Sequence, residues 1–309
     1  MNNIFDDYDY EKEYDCSRIT KCNHFSKLMF LIINVNNIPN GHTILKNYIS
    51  TNQDEINKKN AEGWTALHIA ARNSNIYGSE IVKLLLENNA DVNLTDKIGF
   101  TALMLAAKYS NTESSLETVK LLLEKGANIN LINKYGWTAL MWAVQYSNSS
   151  SNLETVKLLL EKGANVNLTE KNGRTVLMMA ARYSNRNGLE TAKLLLENCA
   201  NVNLIDKDNK TFFNYIPIEC LQECLDIVYQ IKYQKLFMKK LLKPINLRSI
   251  ELLLRPDSLR IKLIGIKWNS NNNLFEELST NDPSLLSYFG ITDEESLKWK
   301  IIDNLKYVD

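Results

Sequence analysis

A five-residue segment recurs at nearly constant intervals along the chain, and this internal repeat constrains the fold more than any other feature. The segment reads Gly-Trp-Thr-Ala-Leu at 63–67, and close variants begin at Gly99, Gly136 and Gly173. A more divergent copy, Asn-Lys-Thr-Phe-Phe, occupies 209–213. The central threonines are residues 65, 101, 138, 175 and 211, so successive copies lie 36 or 37 residues apart. A period of this length is typical of solenoids, in which each repeat packs only against its neighbours.

Each repeat unit predicts two short helices. The threonine of the segment, such as Thr65, is a favourable N-cap, because its hydroxyl can accept a hydrogen bond from an unpaired N–H of the first turn. Small and apolar residues follow at helical spacing, as in 102–107. The second helix carries a Lys-Leu-Leu-Leu-Glu block, which begins at Lys83, Lys120, Lys157 and Lys193. We therefore predict an all-α fold in which helix pairs stack on one another.

These blocks resemble the ankyrin repeat. The resemblance is carried by Gly-Trp-Thr-Ala-Leu-His at 63–68, Ile-Val-Lys-Leu-Leu-Leu-Glu at 81–87 and Ala-Asp-Val-Asn at 90–93, and it covers about 60–206. The usual ankyrin period is about 33 residues, so each unit here has 3 or 4 extra residues. Aligning the helices places the extra residues between the two helices of a unit, at 74–79, 110–115, 147–152 and 184–188.

The sequence predicts eight consecutive segments. An acidic, polar start is expected to be a disordered tail, and an apolar region after it to be a degenerate N-terminal capping repeat. After Thr211 the pattern fails, and the remainder of the chain is expected to be helical. The predicted segments are 1–20 (tail), 21–59 (capping repeat), 60–96, 97–133, 134–170 and 171–206 (full repeats), 207–234 (degenerate repeat or F-box-like segment) and 235–309 (C-terminal helical region).

Two positions depart from the repeat pattern. His68 keeps the histidine that the family has in this place, whereas Met104, Met141 and Met178 replace it in the next three units. Cys199 stands where the middle repeats have glycine. Because a β-carbon in the left-handed conformation costs about 1–2 kcal/mol, we expect the array to lose regularity at Cys199.

Residue patterns typical of catalysis or cofactor binding are missing from the sequence. There is no phosphate-binding Gly-x-x-x-x-Gly-Lys, no dinucleotide-binding Gly-x-Gly-x-x-Gly and no Gly-x-Ser-x-Gly nucleophile motif. Cys16, Cys22 and His24 supply three possible metal ligands at poor spacing, whereas a structural zinc site takes four. We therefore expect no enzyme activity, no cofactor, no metal and no small-molecule substrate.

The resemblance implies that partners bind to an extended concave face, formed by the turn tips and the exposed positions of the first helices. Tyr109, Tyr146 and Tyr183 are predicted to form a ladder there. Tyrosine, tryptophan and arginine dominate binding hot spots. Equally, recent repeat duplication could have copied these residues without a function, and Trp142 is expected to be a core residue because it replaces Leu105. The predicted partner-binding residues are Trp64, Arg72, Lys97, Phe100, Lys108, Tyr109, Lys134, Tyr135, Trp137, Tyr146, Lys171, Arg174, Arg182 and Tyr183.

The leading functional hypothesis is a monomeric, non-enzymatic scaffold for another protein. The asparagine-rich composition and lengthened repeats are similar to those of the ankyrin-repeat proteins of giant DNA viruses such as mimiviruses, which are presumed to act on host proteins. The start of the chain is acidic and lacks an apolar core, and five scattered cysteines suit a reducing compartment, so we expect the host cytoplasm.

Two alternatives belong to other functional classes. The segment 216–225 resembles the opening of an F-box, which poxvirus ankyrin proteins carry after their repeats, and this would make the chain an adaptor for ubiquitin-ligase subunits. The segment 232–267 has a net charge of +8, whereas the segment 276–309 has a net charge of −5. A nucleic acid or an anionic membrane is a less favoured partner, because the chain as a whole has 36 basic and 36 acidic side chains.

Overall fold

A computed structural model describes residues 9, 14–15, 21–22, 24–146, 153–182, 186–217 and 227–228. The chain divides into two compact units, 1–211 and 212–309. Most of the predicted F-box-like segment and all of the predicted C-terminal helical region, 235–309, lie outside the described residues. In the second unit, Phe212–Tyr215 forms a 3-10 helix, in which the rings of Phe212 and Phe213 are 5.2 Å apart and buried.

The first unit is helical, apart from one short pair of strands. Within the described residues, helices α1 and α2 precede the repeats, and α3 to α11 belong to them. The bounds are α1 Lys27–Asn34, α2 Gly41–Thr51, α3 Ala66–Arg72, α4 Ser74–Tyr77, α5 Ser79–Glu87, α6 Ala102–Tyr109, α7 Leu116–Glu124, α8 Ala139–Gln145, α9 Leu153–Glu161, α10 Val176–Arg182 and α11 Arg186–Glu197. The predicted all-α solenoid of helix pairs is confirmed.

The short strands lie near the start of the chain. Strand β1, Tyr14–Asp15, pairs antiparallel with β2, Lys21–Cys22, with Tyr14 opposite Cys22. The segment expected to be a disordered tail, 1–20, thus contains strand β1. Except for Asp9, the rest of 1–20 lies outside the described residues.

Threonine caps the first helix of each full repeat, as the sequence predicts. The hydroxyl oxygens of Thr65, Thr101 and Thr138 accept hydrogen bonds from the backbone N–H three residues later, with N–O distances of 3.4, 3.2 and 3.2 Å. Thr175 does the same for Met178, at 3.3 Å. Each threonine is almost completely buried. Its hydroxyl oxygen therefore supplies a hydrogen-bond acceptor for a backbone N–H of the first helical turn that water cannot reach.

The connections between successive repeats have one constant length. Segments 88–101, 125–138, 162–175 and 198–211 each separate the end of one helix from the start of the next element and are all fourteen residues long, as is 52–65, which contains the 3-10 helix Gln53–Glu55. The turns in these connections also stack on one another. The backbone N–H of Lys97, Lys134, Lys171 and Lys207 donates to a carbonyl of the preceding turn, at 2.8–3.0 Å.

The extra residues lie between paired helices, as predicted, in the first two full repeats. In the last two, 147–152 and 183–185 lie outside the described residues, and 186–188 belong to α11. In the first full repeat they include the four-residue helix α4, and in the second they form the segment 110–115 between α6 and α7. These inserts also join neighbouring repeats. The side-chain amide of Asn75 donates to the carbonyl of Ser114 at 2.7 Å, and the Ser114 hydroxyl donates to the carbonyl of Ala71 at 2.7 Å.

Asparagines form a further set of bridges between repeats. In the connection that follows each second helix, the side-chain oxygen of an asparagine accepts the backbone N–H of a residue in the next connection, at 2.8–2.9 Å. The pairs are Asn57 with Asp91, Asn93 with Asn128, Asn130 with Asn165, and Asn167 with Asn201. Part of the asparagine-rich composition is therefore structural, because asparagine offers a neutral acceptor to an exposed backbone N–H.

Cys199 adopts the left-handed conformation that the sequence predicts, with φ of 69°. Gly126 and Gly163 occupy the same place in the two preceding repeats, and a β-carbon built on either would meet no atom within 4 Å. Since backbone strain is relieved while the unfolded chain gains some freedom, Cys199→Gly should raise the free energy of unfolding by about 0.5–1 kcal/mol. Urea denaturation of both forms measures this, and an unchanged or lower midpoint would mean that the thiol contributes packing.

Candidate functional site

The turns and the first helices, α3, α6, α8 and α10, form one face of the repeats, which we call the first-helix face. Three of its turns share one hydrogen-bond pattern. In three successive turns, the side-chain oxygen of Asn60, Asp96 or Asn133 accepts two backbone N–H groups of its own turn, at 2.8–3.0 Å. These bonds fix the shape of each turn, so the residues at the tips are held in equivalent positions from repeat to repeat.

The centre of this face is a cluster of aromatic rings around one lysine. The Lys108 ammonium lies over four rings, at 4.6 Å from the centroid of Trp142, 4.9 Å from Tyr109, 5.1 Å from Tyr146 and 5.9 Å from Phe100. The rings of Trp142 and Trp137 are 4.5 Å apart. We call these six residues the aromatic–lysine cluster. All of them are half-buried, so the rings are partly accessible from solvent while they hold the cation.

Sequence spacing explains how two repeats supply the cluster. Phe100 comes directly before the cap of α6, and Lys108 and Tyr109 end that helix. Trp142 and Tyr146 are four residues apart, in α8 and at its C-cap, so their rings share one helix side and stack with a centroid distance of 6.0 Å. A cation over aromatic faces is attracted by the ring quadrupole, and the cluster therefore stabilises the contact between the second and third repeats.

The prediction that Trp142 belongs to the core is wrong. An indole is too large for the space that Leu105 and Ile69 fill in the preceding repeats, where these residues are at most 4% exposed. Trp142 instead contacts Phe100 of the preceding repeat, with 5.0 Å between ring centroids. Its ring N–H has no acceptor among the described residues. Trp142 is aligned with the core residue Leu105, but the alignment takes no account of the larger volume of the indole side chain.

Arg72 is not a surface residue, contrary to the prediction. Its side chain is 2% exposed, and one guanidinium nitrogen lies 2.7 Å from a carboxylate oxygen of Glu113. The guanidinium also lies over the ring of Tyr109, at 4.3 Å. Glu113 belongs to the insert between α6 and α7, which the family pattern lacks, so the partner that buries Arg72 could not be foreseen from that pattern.

The other predicted residues on the first-helix face are either exposed or half-buried. Lys97, Lys134, Lys171 and Arg182 are exposed, and Tyr135 is 53% exposed at its turn tip. Trp64 and Arg174 are half-buried, and the Trp64 ring N–H donates to Asp96 at 3.2 Å. Tyr183 lies outside the described residues. Sequence analysis missed Lys207, which occupies the same turn position as the other three lysines in the divergent fifth copy of the repeat.

His68 is a structural residue beneath this face. One ring nitrogen accepts the backbone N–H of Thr65 at 3.2 Å, so the other carries the proton and donates to the carbonyl of Phe100 at 3.0 Å. Burial lowers the pKa of His68, and the Phe100 carbonyl opposes this shift more weakly. The imidazole is therefore neutral and links two repeats at neutral pH.

His68→Met provides a test, because methionine fills this place in the other full repeats. Below the usual histidine pKa, His68 is protonated in the unfolded chain but not in the folded chain. The free energy of unfolding of the wild-type chain should therefore fall as the pH drops below that pKa, by at most about 1.4 kcal/mol per pH unit. The variant should lose about 1 kcal/mol at pH 7 with the hydrogen bonds. Its stability should also change less between pH 7 and pH 5, as urea denaturation at both values would measure. An equal pH dependence would contradict the assignment.

The described residues contain neither a cluster of metal-ligating side chains nor a membrane-spanning helix. Among them, no three histidine, cysteine, aspartate or glutamate side chains are grouped so that they could hold a metal ion. In the same part of the chain, no helix is both long and apolar enough to cross a membrane.

Comparison with known proteins agrees with the stacked repeats. The sequence model of the family described as "Ankyrin repeats (3 copies)" matches residues 28–133, 76–170, 113–206 and 147–235, which together extend over more than half of the chain. Similar proteins include three from Acanthamoeba polyphaga mimivirus. Ankyrin repeat protein L86 is 49% identical over 88 residues, L91 is 41% identical over 95 residues, and L289 is 41% identical over 93 residues.

These similarities concern the repeats and not whole proteins. The aligned regions cover 26%, 29% and 29% of this chain, and 15%, 15% and 17% of the three relatives. The chain thus spans less than a fifth of the length of the relatives that it matches. The family models and the repeat geometry agree on one conclusion: the chain belongs to the ankyrin-repeat family.

Proposed function

We propose that this chain is a non-enzymatic scaffold that binds a partner protein through the first-helix face. Ankyrin repeats generally mediate binding between proteins, and the aromatic–lysine cluster is the observation that supports this face most directly. Partly accessible aromatic rings next to a cation supply the residue types that dominate binding hot spots. The exposed Ile98 and Tyr135 extend the apolar surface to the turn tips.

Similarity to mimivirus proteins supports a viral origin, and we propose that the partner is a host protein met in the cytoplasm of the infected cell. The scaffold would act as a monomer, since the apolar sides of the described repeat helices are buried by neighbouring repeats of the same chain. Recruitment of ubiquitin-ligase subunits belongs to the same proposal as a finer possibility. It depends on 216–225, of which only 216–217 are described.

Quantitative affinity capture tests the proposal. The tagged full chain and the variant Tyr135→Ala/Tyr146→Ala would be incubated with Acanthamoeba lysate, and captured proteins would be compared by mass spectrometry. Tyr48→Ala/Tyr77→Ala is a matched control, because both tyrosines are half-buried and lie outside the first-helix face, in α2 and α4.

We expect the control to retain every specific partner, whereas the first-helix variant should lose at least about nine tenths of the captured amount, as hot-spot truncation commonly does. Thermal unfolding of each variant shows whether lost capture reflects lost folding. Equal capture by both variants, with both folded, would place the binding site elsewhere. Ligase subunits among the captured proteins would support the adaptor role.

A further inference from the structure

Charge is distributed unequally over the repeats, although the whole chain is neutral. The first-helix face carries four lysines at the same turn position, Lys97, Lys134, Lys171 and Lys207, which we call the lysine ridge. All four are exposed. None forms an ion pair with an acidic side chain in the described part of the chain. The ridge therefore presents four exposed ammonium groups along four successive turns.

The second helices have a different pattern. Their lysines pair with glutamates of the same helix: Lys83 with Glu87 at 4.0 Å, Lys120 with Glu117 at 3.9 Å, and Lys157 with Glu154 at 2.7 Å. On this side of the repeats, three lysines thus have a glutamate partner nearby. The ridge lysines differ from these three lysines, because no ridge lysine forms an ion pair with an acidic side chain in the part of the chain that the structure describes.

Three acidic residues within the turns are bonded to their own turns and form no ion pair with the ridge lysines. Asp96 and Asp206 each use a carboxylate oxygen to accept two backbone N–H groups of their own turn, at 2.8–2.9 Å. Glu170 accepts the N–H of Arg174 and the side-chain amide of Asn172. Asp208, beside Lys207, is the one exposed acid at a turn tip from the second full repeat to Thr211. The ammonium groups of the ridge are therefore more accessible to an added anion than the carboxylates of Asp96, Glu170 and Asp206 are.

The geometry of the ridge selects an extended ligand. Packed helices lie about 8–10 Å apart, so lysines of successive turns recur at about that distance. An extended peptide in the polyproline II conformation advances about 3.1 Å per residue with three residues per turn, so every third side chain lies on the same side of the peptide and can face the next lysine. The exposed Tyr135 and Ile98 lie between the lysines, and the aromatic–lysine cluster is adjacent through Phe100 and Trp137.

We propose that the lysine ridge binds an extended acidic segment of the partner protein, with carboxylates at about every third position and aromatic side chains between them. This inference rests on the proposed function and names the chemistry of the partner. The carboxylates would pair with ridge lysines, while the aromatic side chains would pack on Tyr135 and the accessible parts of the cluster. Salt should weaken the complex, because the ridge charges are exposed.

Fluorescence anisotropy with the full chain tests the proposal. The probe is a labelled peptide of four Asp-Tyr-Gly triplets, and its neutral counterpart has Asn-Tyr-Gly triplets. The ridge variant is Lys134→Glu/Lys171→Glu. Its matched control is Lys125→Glu/Lys162→Glu, which makes the same charge change at exposed lysines that follow α7 and α9. A five-nucleotide single-stranded DNA of equal charge serves as a polyanion without carboxylates.

The acidic peptide should bind the wild-type chain at least about tenfold more tightly than the neutral peptide. The ridge variant should lose at least about tenfold in affinity, and the control should stay within about twofold. Equal binding of both peptides, equal losses in both variants, or DNA binding as tight as peptide binding would each overturn the proposal. If no peptide binds but capture still requires Tyr135 and Tyr146, the acidic-segment inference fails and the scaffold function stands.

Discussion

Gly136→Ala is expected to lower the free energy of unfolding by about 3 kcal/mol, because two costs add at this turn. Gly136 has φ of +80°, a conformation that L side chains rarely adopt. Its added β-carbon would also lie 3.0 Å from the α-carbon of Glu170 and 3.1 Å from the backbone nitrogen of Lys171. The next turn would have to move away and weaken the 3.0 Å hydrogen bond from Lys171 to Tyr135.

Gly163→Ala separates these two costs. Gly163 has φ of +84°, but a β-carbon there would meet no atom within 4 Å. Only the conformational strain remains, and the expected loss is about 1 kcal/mol. Urea denaturation of both variants gives the comparison, and equal losses would contradict the close stacking of the turns.

Glu113→Gln is expected to destabilise the fold by about 2–3 kcal/mol, although Glu113 is a partly exposed insert residue. The change leaves the buried guanidinium of Arg72 without its carboxylate. Arg72→Met should cost less, about 1 kcal/mol, because the remaining Glu113 carboxylate is 25% exposed and can be hydrated. The predicted order, a larger loss from the more exposed partner, is opposite to what burial alone would suggest.

The double variant Arg72→Met/Glu113→Gln completes the cycle. With no buried charge left, it should be more stable than Glu113→Gln alone. Chemical denaturation of the four proteins measures the coupling. Additive losses would mean that Arg72 and Glu113 do not act as a pair in the folded protein.

Sequence analysis predicted the features that depend on local pattern. The period, the threonine caps and the place of the extra residues follow from spacing within one repeat. The left-handed backbone at Cys199 follows from alignment with Gly126 and Gly163. All of these are set by residues near one another in the chain, so comparison of the repeats was sufficient.

Predictions that depended on contacts between repeats were less reliable. Arg72 was assigned to the surface and Trp142 to the core, because neither Glu113 of the insert nor Phe100 of the neighbouring turn could be placed beforehand. The burial of both residues differs from the expectation because each packs against a side chain of the adjacent repeat. The sequence of one repeat does not contain that information. The asparagine bridges between units were unforeseen for the same reason.

The central claim, that the first-helix face binds the partner, is tested most directly by site-specific photocrosslinking. The crosslinking residue p-benzoylphenylalanine would replace Tyr135 at a turn tip or Lys125 after α7, in the full chain, and the proteins would be irradiated in Acanthamoeba lysate. We expect a covalent adduct with a partner protein from position 135, and none with that protein from position 125. The same adduct from position 125, with none from position 135, would contradict the claim.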